Sequence, residues 1–215
     1  MEGPLRKSFQ QDLEAIDARV VQLFALVSES LAAATDTLLA GERDTDMSIT
    51  AREAIIDELN VDLETVVERN LLLQAPVARD LRFLICALRI VPELERSGDL
   101  AEHIATRAIR GLGAQLTPQV RGLVERMGRI GVEMWRAAAD AYVERDGEAA
   151  ARIDQLDDGL DDLHDQLINA LDDEAMSRRV AIEMGLVARF YERLGDHAVH
   201  ISDRVRHLAG EPRRV

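Results

Sequence analysis

"ERSGDLAEHIATR" (residues 95–107) returns as "ERLGDHAVHISDR" (residues 192–204). Glu, Arg, Gly, Asp, Ala, His, Ile and Arg coincide at a constant offset of 97, eight identities in thirteen positions. Agreement of that density marks an internal duplication. Between the two copies lies "GLGAQLTPQ" (residues 111–119), the clearest break in the chain. Its glycines end one helix, Thr117 is placed to cap the next, and Pro118 suits the first helical position. The break falls at the midpoint, so the duplication predicts two domains, residues 1–112 and 113–215.

Working outward, apolar residues recur at helical spacing nearly throughout, and no long run alternates with period two. Further breaks at Gly41–Thr45, Gln74–Pro76, Asp146–Gly147 and Asp172–Ser177 divide the chain into six helices. Their predicted bounds are 5–40, 46–73, 77–110, 118–145, 148–171 and 177–209. The expected fold is all-α, two tandem three-helix bundles. A hydrophobic fraction of 47% with only 3% aromatic residues fits helices built on Ala and Leu. Pro92 falls inside the third helix and predicts a kink one turn before the acidic cluster.

The formal net charge of −14 argues against a nucleic-acid-binding protein, which needs a basic face. It suits cation binding, a basic partner or plain solubility. Cys86, the single cysteine, stands in the apolar run "RFLICALRI" and reads as a small buried hydrophobe. The segment "MEGPLRKSFQ" has no apolar core of the kind a secretory signal carries. No stretch approaches about 18 uncharged apolar residues, so no membrane insertion is expected. These features predict a cytoplasmic protein.

On the third helix, at about 100° per residue, Asp99 lies about 40° and Glu102 about 20° from Glu95, with His103 about 80° away. Leu84, Leu88 and Val91 run into this stripe from upstream. On the sixth helix Glu192, Asp196, His200 and Asp203 form the same stripe. The second helix carries Glu53, Asp57, Asn60 and Glu64 beside the apolar line Ile56, Leu59, Leu63 and Val67. The fifth carries Asp157, Asp161 and His164 beside Leu156, Leu160, Leu163 and Leu167. Asp157 and Asp161 correspond to Glu53 and Asp57 at an offset of 104.

Each half therefore offers two acid pairs spaced i,i+4, and antiparallel packing would bring four carboxylates to the rim of each bundle. One such pair is commonplace on a solvated helix face and costs only about 0.2–0.5 kcal/mol. Four pairs, duplicated and set against the buried seam, raise both mutual repulsion and desolvation cost. A multivalent cation relieves both. The candidate metal ligands are Glu53, Asp57, Glu95 and Asp99 in the first half and Asp157, Asp161, Glu192 and Asp196 in the second. His103 and His200 are further candidates because they repeat. Iron, zinc, manganese and magnesium all suit such ligands. Arg96, Arg193, Arg107 and Arg204, which also repeat, are expected to pair with these acids and orient them. Gly98 and Gly195 stand mid-helix, where glycine costs about 1 kcal/mol against alanine. Their repetition points to close helix packing or to room for a metal.

No Gly-rich phosphate loop, GxSxG, HExxH or CxxC occurs, so catalysis is not expected. Two alternatives stay open. A carboxylate-bridged di-metal enzyme needs Glu-x-x-His pairs on two helices of a four-helix core, and only Asp161/His164 has a comparable form. A metal-free helical scaffold is the other.

The two three-helix units, with [E/D]xxxD on the second helix and "ELERSGDLAEHI" or "YERLGDHAVHI" on the third, resemble the PhoU family across about Phe9 to Leu208. These are accessory regulators of the phosphate-specific transport system. The resemblance implies paired three-helix bundles with metal ions, in some members multinuclear clusters, held by the eight carboxylates named above. It implies negative regulation of phosphate uptake and of the phosphate-starvation response. Contacts with the phosphate ABC transporter ATPase and a sensor histidine kinase, and a homodimer, follow from it too. The family commonly has Asn where this chain has His103 and His200, and two imidazoles there would shift metal preference toward zinc or iron.

Overall fold

The computed structural model describes residues 4–40, 47–145, 149–172 and 176–209. Their regular structure is wholly helical: α1 (Pro4–Ala40), α2 (Met47–Gln74), α3 (Ala78–Ile109), α4 (Pro118–Glu144), α5 (Ala149–Ala170) and α6 (Arg178–Ala209), with a short 3-10 turn at Gly113–Gln115. These bounds match the periodicity to within one residue at each end. The expected breaks at Gly41–Thr45 and Asp146–Gly147 lie outside the described residues. At the central break the sequence logic holds atom by atom. Gly111 adopts φ 68°, and Thr117 Oγ1 accepts from the Val120 amide at 3.3 Å with Pro118 opening α4. Pro92 lies inside α3, which continues as one helix on both sides.

α1, α2 and α3 pack on one another, as do α4, α5 and α6. The two bundles join through α1 against α4 and α3 against α6, leaving α2 and α5 on the flanks. Their apolar faces merge into one continuous core. α1 shows why. Ile16, Val20, Leu23, Val27, Leu31, Ala34 and Leu38 follow 3- and 4-residue spacing and are all fully buried. By length and composition α1 is apolar enough to cross a membrane, with an 18-residue window of mean hydropathy 1.4. The window is not a run of uncharged apolar residues, since Glu29 and Asp36 interrupt this half of α1. The apolarity is that of a central helix packed against both bundles.

Where α1 meets α4, Gly128 lets the backbones approach. A Cβ there would stand 2.4 Å from Thr35 Cγ2. Thr35 Oγ1 donates to the Leu31 carbonyl at 2.8 Å and shares a 2.7 Å hydrogen bond with the Tyr191 hydroxyl of α6. Arg121 donates to the Leu39 and Gly113 carbonyls, pinning the connection between the two halves to the end of α1.

Candidate metal centre

α2 packs along α3, and α5 along α6. Gly98, in the "ERSGD" of α3, removes the one Cβ that would block the α2 acid. An added Cβ would lie 2.8 Å from Glu53 Oε2 and 2.9 Å from Ile56 Cδ1. Gly195, in the "ERLGD" of α6, does the same for α5, with an added Cβ 2.6 Å from Asp157 Oδ1 and 2.9 Å from Leu160 Cδ2. The duplicated glycine thus makes a cradle for a carboxylate in each half, and the neighbouring Ile or Leu completes it.

In the first half Glu53 is 8% exposed, and its Oε1 is buried without a hydrogen-bond partner. Burial, a hydrogen bond shared with Asp99, and the charges of Asp99, Asp57 and Glu102 push its carboxyl up to about 8. Burial and the charges of Asp99, Asp57 and Glu64 raise the Glu95 carboxyl as well, against the opposing pull of Arg96. Of the four first-half candidates, Asp57 and Asp99 therefore act on both Glu53 and Glu95. Glu102 and Glu64 join them. Both belong to the helical stripes read from sequence, at i+3 from Asp99 and i+7 from Asp57, and that position is the signal that includes them.

In the second half Asp157 is pushed up to about 6 by burial and the charges of Asp161 and Asp196, and further by Asp158 and Asp154. Burial and Asp196 raise Asp161, which His164 moderates. Glu192 is engaged differently: Arg189, one turn earlier on α6, holds its carboxylate in an ion pair. Among the described residues, no three His, Cys, Asp or Glu side chains already enclose a common point. The acids instead form two open strips, each with one carboxylate pressed into a glycine cradle.

His103 is exposed and stacks on the Phe190 ring of α6, centroids 5.5 Å apart. His200 is exposed on the corresponding side of α6. Two of the repeated arginines also pair outside the acid strips. Arg96 pairs with Glu93 at 3.3 Å, and Arg107 pairs with Glu183 at 3.4 Å while lying 4.7 Å over the Phe190 ring. Sequence reasoning passes over His197, which has Leu100 at its duplicate position. It is buried between the bundles, with Nδ1 2.9 Å from Ser97 Oγ and Nε2 3.7 Å from Glu93. Burial pulls its imidazole below the usual range, opposed by Glu93.

Chemically, each strip offers hard oxygen donors in excess of the cations near them, and the first also offers a buried oxygen with no partner. That combination favours a multivalent cation over a proton. The donor set therefore fits a bound metal.

A family model described as the PhoU domain matches this chain twice, over residues 20–108 and 124–205. The phosphate-specific transport system accessory protein PhoU homolog 2 of Mycobacterium tuberculosis is 33% identical over 204 residues, covering 94% of this chain and 96% of that protein. The PhoU homolog of Synechocystis is 30% identical over 215 residues, covering 96% and 93%. The crystal structure of PhoU from Pseudomonas aeruginosa superposes with a TM-score of 0.85 at 25% identity, over 93% of this chain and 98% of that one. With the domain present in both halves and relatives at about a third identity over nearly the whole length, the chain belongs to the PhoU family.

Proposed function

We propose that this chain is a metal-dependent, non-enzymatic negative regulator of phosphate uptake and phosphate-starvation signalling. It acts in the cytoplasm through protein contacts with the phosphate ABC transporter ATPase and a sensor histidine kinase, as a homodimer. The relatives are named as accessory proteins of a phosphate-specific transport system, and that supports the regulatory role. The observation that carries the metal is the orphaned Glu53 oxygen against Gly98, mirrored by Asp157 against Gly195. Glu53, Asp57, Glu95 and Asp99 hold metal in the first half, with Glu102 and Glu64 in reach. Asp157, Asp161 and Asp196 hold it in the second, with Glu192 joining on release from Arg189. Iron, zinc, manganese and magnesium all suit these oxygens. The bound cation supplies charge neutralisation, which fixes α2 on α3 and α5 on α6.

Elemental analysis of the purified protein tests the centre, beside Glu53→Gln/Asp99→Asn and Asp157→Asn/Asp196→Asn variants. Each double variant is expected to lose the metal of its own half. Unchanged metal content in both sinks the assignment. A deletion strain is expected to express phosphate-starvation genes in high phosphate, and normal repression there contradicts the regulatory role.

A further inference from the structure

The turn between α2 and α3, "LLLQAPVARDLRF" (residues 71–83), presents apolar side chains outward. Leu72 is 83% exposed, Leu73 72% and Val77 73%, more than any other large apolar residue described. Nothing in a monomeric fold favours three such side chains at one tip. The turn is also held in an unusual shape: Ala75 and Ala78, either side of Pro76 and Val77, take φ of 44° and 47°. Non-glycine residues in that region are strained, and such strain collects at functional sites.

The tip adjoins a cleft of about 530 Å³ whose walls carry Arg79, Arg82 and Arg145 together with Glu14, Asp17 and Asp80. Among the described residues, neither Arg79 nor Arg82 has an ion-pair or hydrogen-bond partner. Arg145 is packed 5.4 Å over the Phe83 ring and bonds Asp17 through Nη2, while its Nη1 is buried with no partner. Glu14 and Asp80 share the walls, but Asp17 is already committed to Arg145 and to the Tyr142 hydroxyl at 2.9 Å. In a chain of net charge −14, this end joins exposed aliphatic tips to two exposed arginines with spare donors, Arg79 and Arg82.

We propose that the α2–α3 tip docks on an anionic lipid surface, with Leu72, Leu73 and Val77 entering the interface and the exposed Arg79 and Arg82 taking headgroup phosphates. A convex, protruding tip suits a deformable bilayer interface, and arginines beside it supply the attraction that aliphatic insertion alone lacks. The acidic remainder of the molecule is repelled by the same lipids, which leaves this end to face them. Docking would set the protein at the membrane in one orientation.

Flotation with vesicles tests this, in chelator so that its failure is separate from any failure of the metal centre. Vesicles of phosphatidylcholine alone are compared with vesicles containing about one third phosphatidylglycerol. Binding is expected to the anionic vesicles only, and to fall at least fivefold in Leu72→Asp/Leu73→Asp and in Arg79→Glu/Arg82→Glu. Val61→Asp, a charge placed at another exposed α2 position (62% exposed), is expected to leave it unchanged. Helical content by circular dichroism confirms that each variant is folded. The proposal is overturned by no binding to anionic vesicles, by equal binding to neutral ones, or by either double variant binding as wild type. Competition by millimolar inorganic phosphate at constant ionic strength also overturns it, by assigning the arginines to a soluble anion.

Discussion

Glu53→Gln is expected to stabilise the metal-free protein, and to do so only at neutral and alkaline pH. The Glu53 carboxyl is raised from 4.5 to about 8 by burial and by Asp99, Asp57 and Glu102. A carboxyl raised in the folded state favours folding fully below its unfolded value. That contribution is lost as pH climbs through the folded value. The wild-type protein without metal therefore loses this stability between about pH 4.5 and 8. Taken whole, the displacement corresponds to roughly 4–5 kcal/mol; the proton shared with Asp99 and local relaxation reduce it to on the order of 2 kcal/mol. Gln keeps the shape, offers its amide to Asp99 and carries no charge. In chelator, Glu53→Gln should match wild type near pH 5 and exceed it by about 2 kcal/mol at about pH 8.5, roughly 4–8 °C in Tm for a chain of this size. Thermal and urea melts at about pH 5, 6.5, 8 and 8.5 read the difference directly. With metal present the sign reverses, because the variant forgoes the stabilisation that binding gives the native state. A variant equally destabilised at every pH would refute the reasoning, since it would mean that Glu53 is held by favourable contacts rather than against its own charge.

Gly98→Ala gains about 1 kcal/mol of helix propensity but crowds Glu53 Oε2 and Ile56 Cδ1, so its melting temperature should fall only slightly while metal affinity at the first strip drops at least tenfold by calorimetric titration. Arg189→Ala frees Glu192, so metal affinity at the α5–α6 strip should rise several-fold in titrations, with stability changed by less than about 1 kcal/mol. Gly128→Ala drives a Cβ into β-branched Thr35, whose hydroxyl is tied to Leu31 and Tyr191; denaturant melts should show a loss of about 1–3 kcal/mol. Asp157 sits at about 6, so metal uptake by the second strip should weaken as pH falls from about 7 to 5, read as a rising Kd in titrations at successive pH values.

The helices are legible in the sequence because period and punctuation agree. Thr117–Pro118 marks the start of α4, and the duplicated motif places α3 and α6. The acid strips are legible as well, since Glu53, Asp57, Glu95 and Asp99 share faces that neighbouring helices can bring together. What the pattern leaves out concerns pairing choices within a turn. Glu192 stands three residues after Arg189 and also on the acid stripe, and in a string an i,i+3 ion pair and a free ligand look alike. Nor does spacing reveal that Arg107 turns to Glu183, because that contact crosses from α3 to α6. His197 is hidden for a related reason: its partner Ser97 lies 100 positions away, and its trace in the sequence is a departure from the repeat.

That departure has a consequence for the molecule's history. In a symmetric pair of identical bundles, every contact across the joining face occurs twice. Here the positions duplicating the hydrogen-bonded Ser97 and His197 are held by Leu194 and Leu100, both buried. Two identical chains could not place a polar pair on one side of their axis and an aliphatic pair at the same positions on the other. Once the halves were joined covalently, each became free to specialise, and this interface records that the two bundles no longer evolve as copies.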